Sequence, residues 1–138
     1  MPKACCHESK DWVARRRSFV LGWGLPGLAL AGSLFMEPPG RAWIWCLGLL
    51  WMGVACTANA FRCGRTHCYF TGPFFLLMAC LTLLYGLGMV KLGAGGWGWL
   101  GLGLVLGTAA LGWLPEQMWG QFTDRGLKRQ EPKRGLPL

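Results

Sequence analysis

The sequence predicts an all-α fold: a four-helix transmembrane bundle of antiparallel hairpins with both termini cytoplasmic. Three observations predict it. First, windows 19–36, 42–61, 70–90 and 97–114 contain none of the chain's 14 basic or 6 acidic residues. A soluble helix of that length needs a polar face, whereas roughly 20 apolar residues suffice to cross a hydrocarbon core. Second, short segments join the windows, so consecutive helices reverse direction. Third, Lys and Arg are unevenly placed. Lys3, Lys10 and Arg15 to Arg17 precede the first window, Arg62 and Arg65 lie between the second and third, and Arg125, Lys128, Arg129, Lys133 and Arg134 follow the last. Only Arg41 and Lys91 fall in the other two connections, and the positive-inside rule then assigns both tails to the cytoplasm.

Residues 1–18 read as a basic cytoplasmic tail carrying Cys5-Cys6-His7. The membrane domain is 19–114. Its first span, 19–36, is stopped by Glu37-Pro38-Pro39-Gly40. Arg16-Arg17-Ser18-Phe19 resembles a twin-arginine signal, with Ala29-Leu30-Ala31 as its cleavage sequence, but three spans follow and an uncleaved first helix is expected. The second span is 42–61. The third, 70–90, is expected to start with Thr71 as N-cap and Pro73 in the first turn. The fourth, 97–114, is expected to end at Pro115. Residues 115–138 form a second basic tail that suits anionic lipid headgroups. Trp43, Trp45, Trp97 and Trp99 fall at the outer interface, and Trp12, Trp113 and Trp119 at the inner one. Gly103 and Gly107 form a small-xxx-small pair at which another helix can approach, from this chain or a second copy.

The net charge of +8 does not point to nucleic acid, because the basic residues flank apolar spans rather than line a folded face. Seven cysteines, an odd number, argue against a disulfide framework. Both histidines adjoin cysteines: His7 follows Cys5-Cys6, and His67 precedes Cys68. In the connection between the second and third spans, Cys63, His67 and Cys68 lie within six residues, and two thiols with an imidazole can close on one soft metal ion (Hg, Cu, Cd or Zn). Arg62, Arg65 and the start of the third helix stand near Cys68 and favour a thiolate there. Cys56, Asn59 and Cys63 share one arc of the second helix if it extends that far. In depth, Cys46, Cys80, Cys56 and Cys63/Cys68 run from outside to inside, a candidate relay that Cys5, Cys6 and His7 would receive from. Read singly, an intramembrane cysteine is a small apolar packing residue.

The stretch Asn59…Arg62-Cys63-Gly64-Arg65-Thr66-His67-Cys68…Thr71-Gly72-Pro73 resembles a loop shared by a family of small bacterial membrane proteins, a resemblance that implies no activity. In size, four-span layout and cysteine use the chain also resembles the small mercuric-ion uptake proteins. Those pass Hg(II) between cysteine pairs, one in the first span and one on the cytoplasmic side. Cys63/Cys68 and Cys5/Cys6 match only the cytoplasmic pair, and 19–36 holds no cysteine.

The expected function is therefore that of a multi-pass protein of the bacterial inner membrane that handles a soft metal ion by thiolate exchange, such as mercuric-ion uptake. The alternative is a non-catalytic accessory or assembly subunit, as a homo-oligomer or within a larger membrane complex. No enzyme is expected, since the chain lacks a Ser-His-Asp set, a nucleotide-binding loop and any acidic residue within the windows.

Overall fold

The computed structural model describes residues 16–120, apart from the side chain of Cys63. Among the described residues all regular elements are helical. Four helices are long and apolar enough to cross a membrane, which is consistent with a multi-pass membrane protein. They are α1 (Arg16–Phe35), α2 (Pro38–Cys63), α3 (Thr66–Gly86) and α4 (Gly96–Trp119).

The four windows survive, but their ends move, and prolines account for most of the movement. In α1, Pro26 has no N–H to donate four residues back. The turn before it widens over Val20–Gly24, and the Leu25 N–H reaches five residues back to the Val20 carbonyl. Pro38 and Pro39 do not merely stop the first span. They are the first two residues of α2, behind an extended Glu37, where a missing N–H costs nothing. α2 runs to Cys63 and ends on Gly64, whose φ of 66° lets its N–H turn back to the Ala60 carbonyl at 2.7 Å.

Only Gly64 and Arg65 separate α2 from α3. The expected eight-residue connection is thus a two-residue turn, and His67 and Cys68 belong to the first turn of α3. Thr71 is not the N-cap, which is Arg65. Thr71 instead lies inside the helix, and its hydroxyl donates to the His67 carbonyl. Pro73 is accommodated within α3, which ends at Gly86 rather than at 90. α4 passes through Pro115 to Trp119, so 115–119 extend the last helix.

The helices pack in chain order: α2 with α3 most extensively, α4 on α3, and α1 on α2. The α2–α3 seam is made by small residues. A Cβ on Gly53 would come to 3.2 Å from the Gly72 carbonyl oxygen, and one on Gly72 to 3.4 Å from the Gly53 oxygen, so two backbones touch. At Gly86 a Cβ would overlap the Ala42 methyl. Gly107 lies against the Phe74 ring, whereas Gly103 faces open space, so those two glycines do not form a joint contact. The tryptophans expected at the outer interface divide. Trp43 and Trp99 are exposed, while Trp45 is buried and meets Trp97 edge-on at 5.5 Å.

Arg41 ties three of these helices together. Its guanidinium donates to the carbonyls of Ser33, Leu34 and Met36, where α1 ends and few of the carbonyls have helical partners. It also lies over the Trp97 ring, 5.2 Å from its centre. Replacing Arg41 by methionine keeps the aliphatic stem and removes these contacts. The expected cost is about 1–2 kcal/mol, read as a lower unfolding temperature of the detergent-solubilised protein by circular dichroism. An unchanged unfolding temperature would mean that Arg41 does not fasten α1.

Candidate functional site

The chemistry-bearing side chains meet where the end of α2, the start of α3 and the end of α4 converge. Cys56 and Asn59 lie one helical turn apart on α2 and are both buried. Cys68 is the third residue of α3, and none of its surface is exposed. The short turn at Gly64 and Arg65 folds α3 back so that Cys68 meets both. The Asn59 amide donates to the Cys68 Sγ at 3.6 Å, and the thiols of Cys56 and Cys68 lie within hydrogen-bonding reach of each other. Trp23 of α1 closes the other side, its indole N–H donating to the Cys56 Sγ at 3.3 Å.

His67 extends the group outward. Its ring is within reach of the Cys68 thiol, and its Nδ1 lies 2.5 Å from Glu116 Oε1 of α4. Arg65 Nε stands 3.7 Å from the same carboxylate oxygen. These side chains are 18% and 24% exposed, so the Arg65–Glu116 attraction is partly screened and contributes about 1 kcal/mol or less. The result is a row of neighbours: Glu116, His67, Cys68, Cys56.

Among the described residues no three His, Cys, Asp or Glu side chains surround a common point as a preformed metal cage. The row offers donors two at a time instead. Cys63 closes α2, but its side chain lies outside the described residues, as do Cys5, Cys6 and His7. Arg62 is exposed in the last turn of α2.

Cys46 and Cys80 are not part of the row. Cys46 is ten residues, about 15 Å, from Cys56 along α2. Cys80 is exposed on α3, twelve residues beyond Cys68, which places it level with Cys46 across the α2–α3 seam. The described thiols thus pair across the α2–α3 seam, Cys46 with Cys80 and Cys56 with Cys68. This differs from the expected ordered depth series, in which Cys80 sits between Cys46 and Cys56.

Glu116 and Trp23 escaped the sequence reading. Glu116 had a signal: it is the sole acidic residue between Glu37 and Asp124 and follows an uncharged window directly. Trp23 had none, because its contact spans 33 positions.

A carboxylate, an imidazole and a thiol in a row also suit nucleophilic catalysis. Cys68, however, has no exposed surface. Burial likewise overrides the expectation of a reactive thiolate at Cys68, since buried cysteines are shielded from reagents. In non-denaturing detergent a water-soluble maleimide is expected to label Cys68 at least about 100-fold more slowly than an exposed thiol, and denaturation to restore the rate. Rapid labelling of Cys68 in the folded protein would contradict its burial.

No protein-family model, curated protein or solved structure matches this chain.

Proposed function

We propose that this chain is a multi-pass protein of the bacterial inner membrane that handles a soft metal ion as cargo through thiolate exchange, moving it toward the cytoplasm. One observation carries the reading: Cys56 of α2 and Cys68 of α3 lie side by side, with His67 next in the row. Soft ions such as Hg(II), Cu(I) and Cd(II) prefer thiolate donors, and carriage requires that no site hold the ion too tightly. A row that presents two donors at a time meets both conditions better than a closed four-ligand cage. In this reading the helices are antiparallel, and the excess of Lys and Arg in the tails and the α2–α3 turn sets both termini in the cytoplasm. The site then lies at the cytoplasmic end of the bundle, and Cys46 and Cys80 lie nearer the outer face. The likeness to mercuric-ion uptake proteins in size and cysteine use points the same way.

The test is titration of the purified full-length protein, reduced and in detergent, with Hg(II), Cu(I), Cd(II) and Zn(II). Saturable binding of a soft ion at one or two equivalents, with thiolate-to-metal absorption, is the expected result. Absence of saturable binding for all four ions would reject the reading.

One observation favours a second reading, an accessory or assembly subunit. Little of α4 is covered by the rest of the chain, which leaves a long apolar surface for lipid or for a helix of another subunit. A protein that binds no metal and purifies within a larger membrane assembly would support it.

A further inference from the structure

We propose that Glu116 is a positioning residue for His67, selecting the ring tautomer whose Nε2 is open to a soft metal ion shared with Cys68. This rests on the soft-metal reading and names a residue from a third helix on which the site depends.

The geometry starts with Pro115. It is buried and does not end α4, so the helix carries Glu116 into the level of the α2–α3 turn. Two contacts fix that last turn. The Gly120 N–H returns to the Glu116 carbonyl at 3.1 Å. Trp119 stacks on Phe70 of α3, with ring centres 5.8 Å apart and planes 13° apart. The stacked Trp119 therefore holds the turn that carries Glu116 against the start of α3.

The chemistry follows from what each group can donate. An ionised carboxylate only accepts hydrogen bonds. Beside an ionised Glu116, with Oε1 at 2.5 Å, Nδ1 of His67 is the nitrogen that carries the proton. In the neutral ring, the form that binds a metal, the lone pair is then left on Nε2. A carboxylate on the far nitrogen also makes the near one a better base, which is how metal-binding histidines are commonly supported. Arg65, 3.7 Å from the same oxygen, keeps a positive group beside the carboxylate, and the two hold each other at the turn.

The experiment uses full-length protein labelled with 15N-histidine, in detergent, with 113Cd(II) as the probe. The His67 resonances are assigned by their loss in His67→Ala. In the unaltered protein Nδ1 is expected to be protonated before metal is added, and Nε2 to couple to 113Cd afterwards. Glu116→Gln removes the charge and is expected to mix the tautomers and weaken Cd(II) binding about 10–100-fold. Glu116→Asp keeps the charge and is expected to retain Nδ1 protonation and most of the affinity. Cadmium bound through thiols without coupling to His67 overturns this inference and leaves the soft-metal reading standing. Unchanged tautomer and affinity in Glu116→Gln overturn it as well. No cadmium binding by the unaltered protein overturns this inference, and the soft-metal reading falls with it only when Hg(II), Cu(I) and Zn(II) also fail to bind.

Discussion

Gly86→Leu is expected to be the most destabilising single change in the described helices, lowering stability by about 3 kcal/mol or more. Gly86 is the last residue of α3, and even a methyl group there would overlap Ala42, which is itself 2% exposed at the start of α2. Trp97 of α4 lies 3.8 Å from the same point, held by Tyr85, Trp45 and Arg41. A leucine therefore has nowhere to turn without parting three helices. The seam it would open continues through Ala79 and Gly72, each seven residues back and so on the same face of α3. Inside a bilayer, lipid tails solvate apolar side chains as well as a neighbouring helix does, so close contact rather than burial holds such a seam together. Gly103→Ala provides the contrast. With open space around it, the substitution removes a helix-interior glycine and is expected to be neutral or to stabilise by about 0.5–1 kcal/mol. Thermal unfolding in detergent compares the two. Equal unfolding temperatures for Gly86→Leu and Gly103→Ala would show that α2 and α3 do not meet at Gly86.

The helices were legible because long uncharged windows have one structural outcome, while their ends were misread at Pro38, Pro73 and Pro115. Pro38 opens a helix where a stop was expected, and Pro73 and Pro115 lie within helices expected to begin or end beside them. One proline removes one backbone hydrogen bond, a loss that packed neighbouring helices and hydroxyl side chains offset, and in a membrane-length helix it is a weak terminator. The error had a consequence for the site. His67 and Cys68 were assigned to a loop able to wrap an ion, yet they stand in a helical turn that directs Cys68 into α2. The half of the site on α2 was readable, because Cys56 and Asn59 share a helical arc and α2 does continue to Cys63. The half that depends on α4 was not. His67 and Glu116 are 49 positions apart, and their meeting required α4 to pass the proline thought to end it. Gly103 and Gly107 drew notice for their spacing of four, whereas the seam runs on the spacing of seven in Gly72, Ala79 and Gly86, a repeat equally present in the sequence.

Removing both thiols of the row, Cys56→Ala with Cys68→Ala, is expected to weaken soft-metal binding at least about 1,000-fold, or about 4 kcal/mol. Each single replacement leaves one thiolate with His67 and is expected to fall between. The size of the effect follows from the donors: a soft ion that loses both sulfurs keeps only the His67 imidazole, which is too few and too hard a donor set to hold it tightly. Alanine is the appropriate replacement because a buried cysteine packs as a small apolar group. The side effects are limited and separable. Losing Cys56 deprives the Trp23 N–H of its acceptor, and losing Cys68 deprives the Asn59 amide of a sulfur contact, so about 1–2 kcal/mol of metal-free stability is expected to go. Metal-free unfolding measures that part alone. Cys80→Ala is the control, since Cys80 is exposed and outside the row. It is expected to leave the Cys56/Cys68 site at full affinity. The competing reading makes the opposite forecast. If the row is only a buried polar joint that locks α2, α3 and α4 for docking into a larger assembly, the double variant loses stability but no saturable metal site. A double variant that still binds Hg(II) or Cd(II) as tightly as the unaltered protein would move any metal chemistry away from the α2–α3 seam, leaving Cys56 and Cys68 as packing residues.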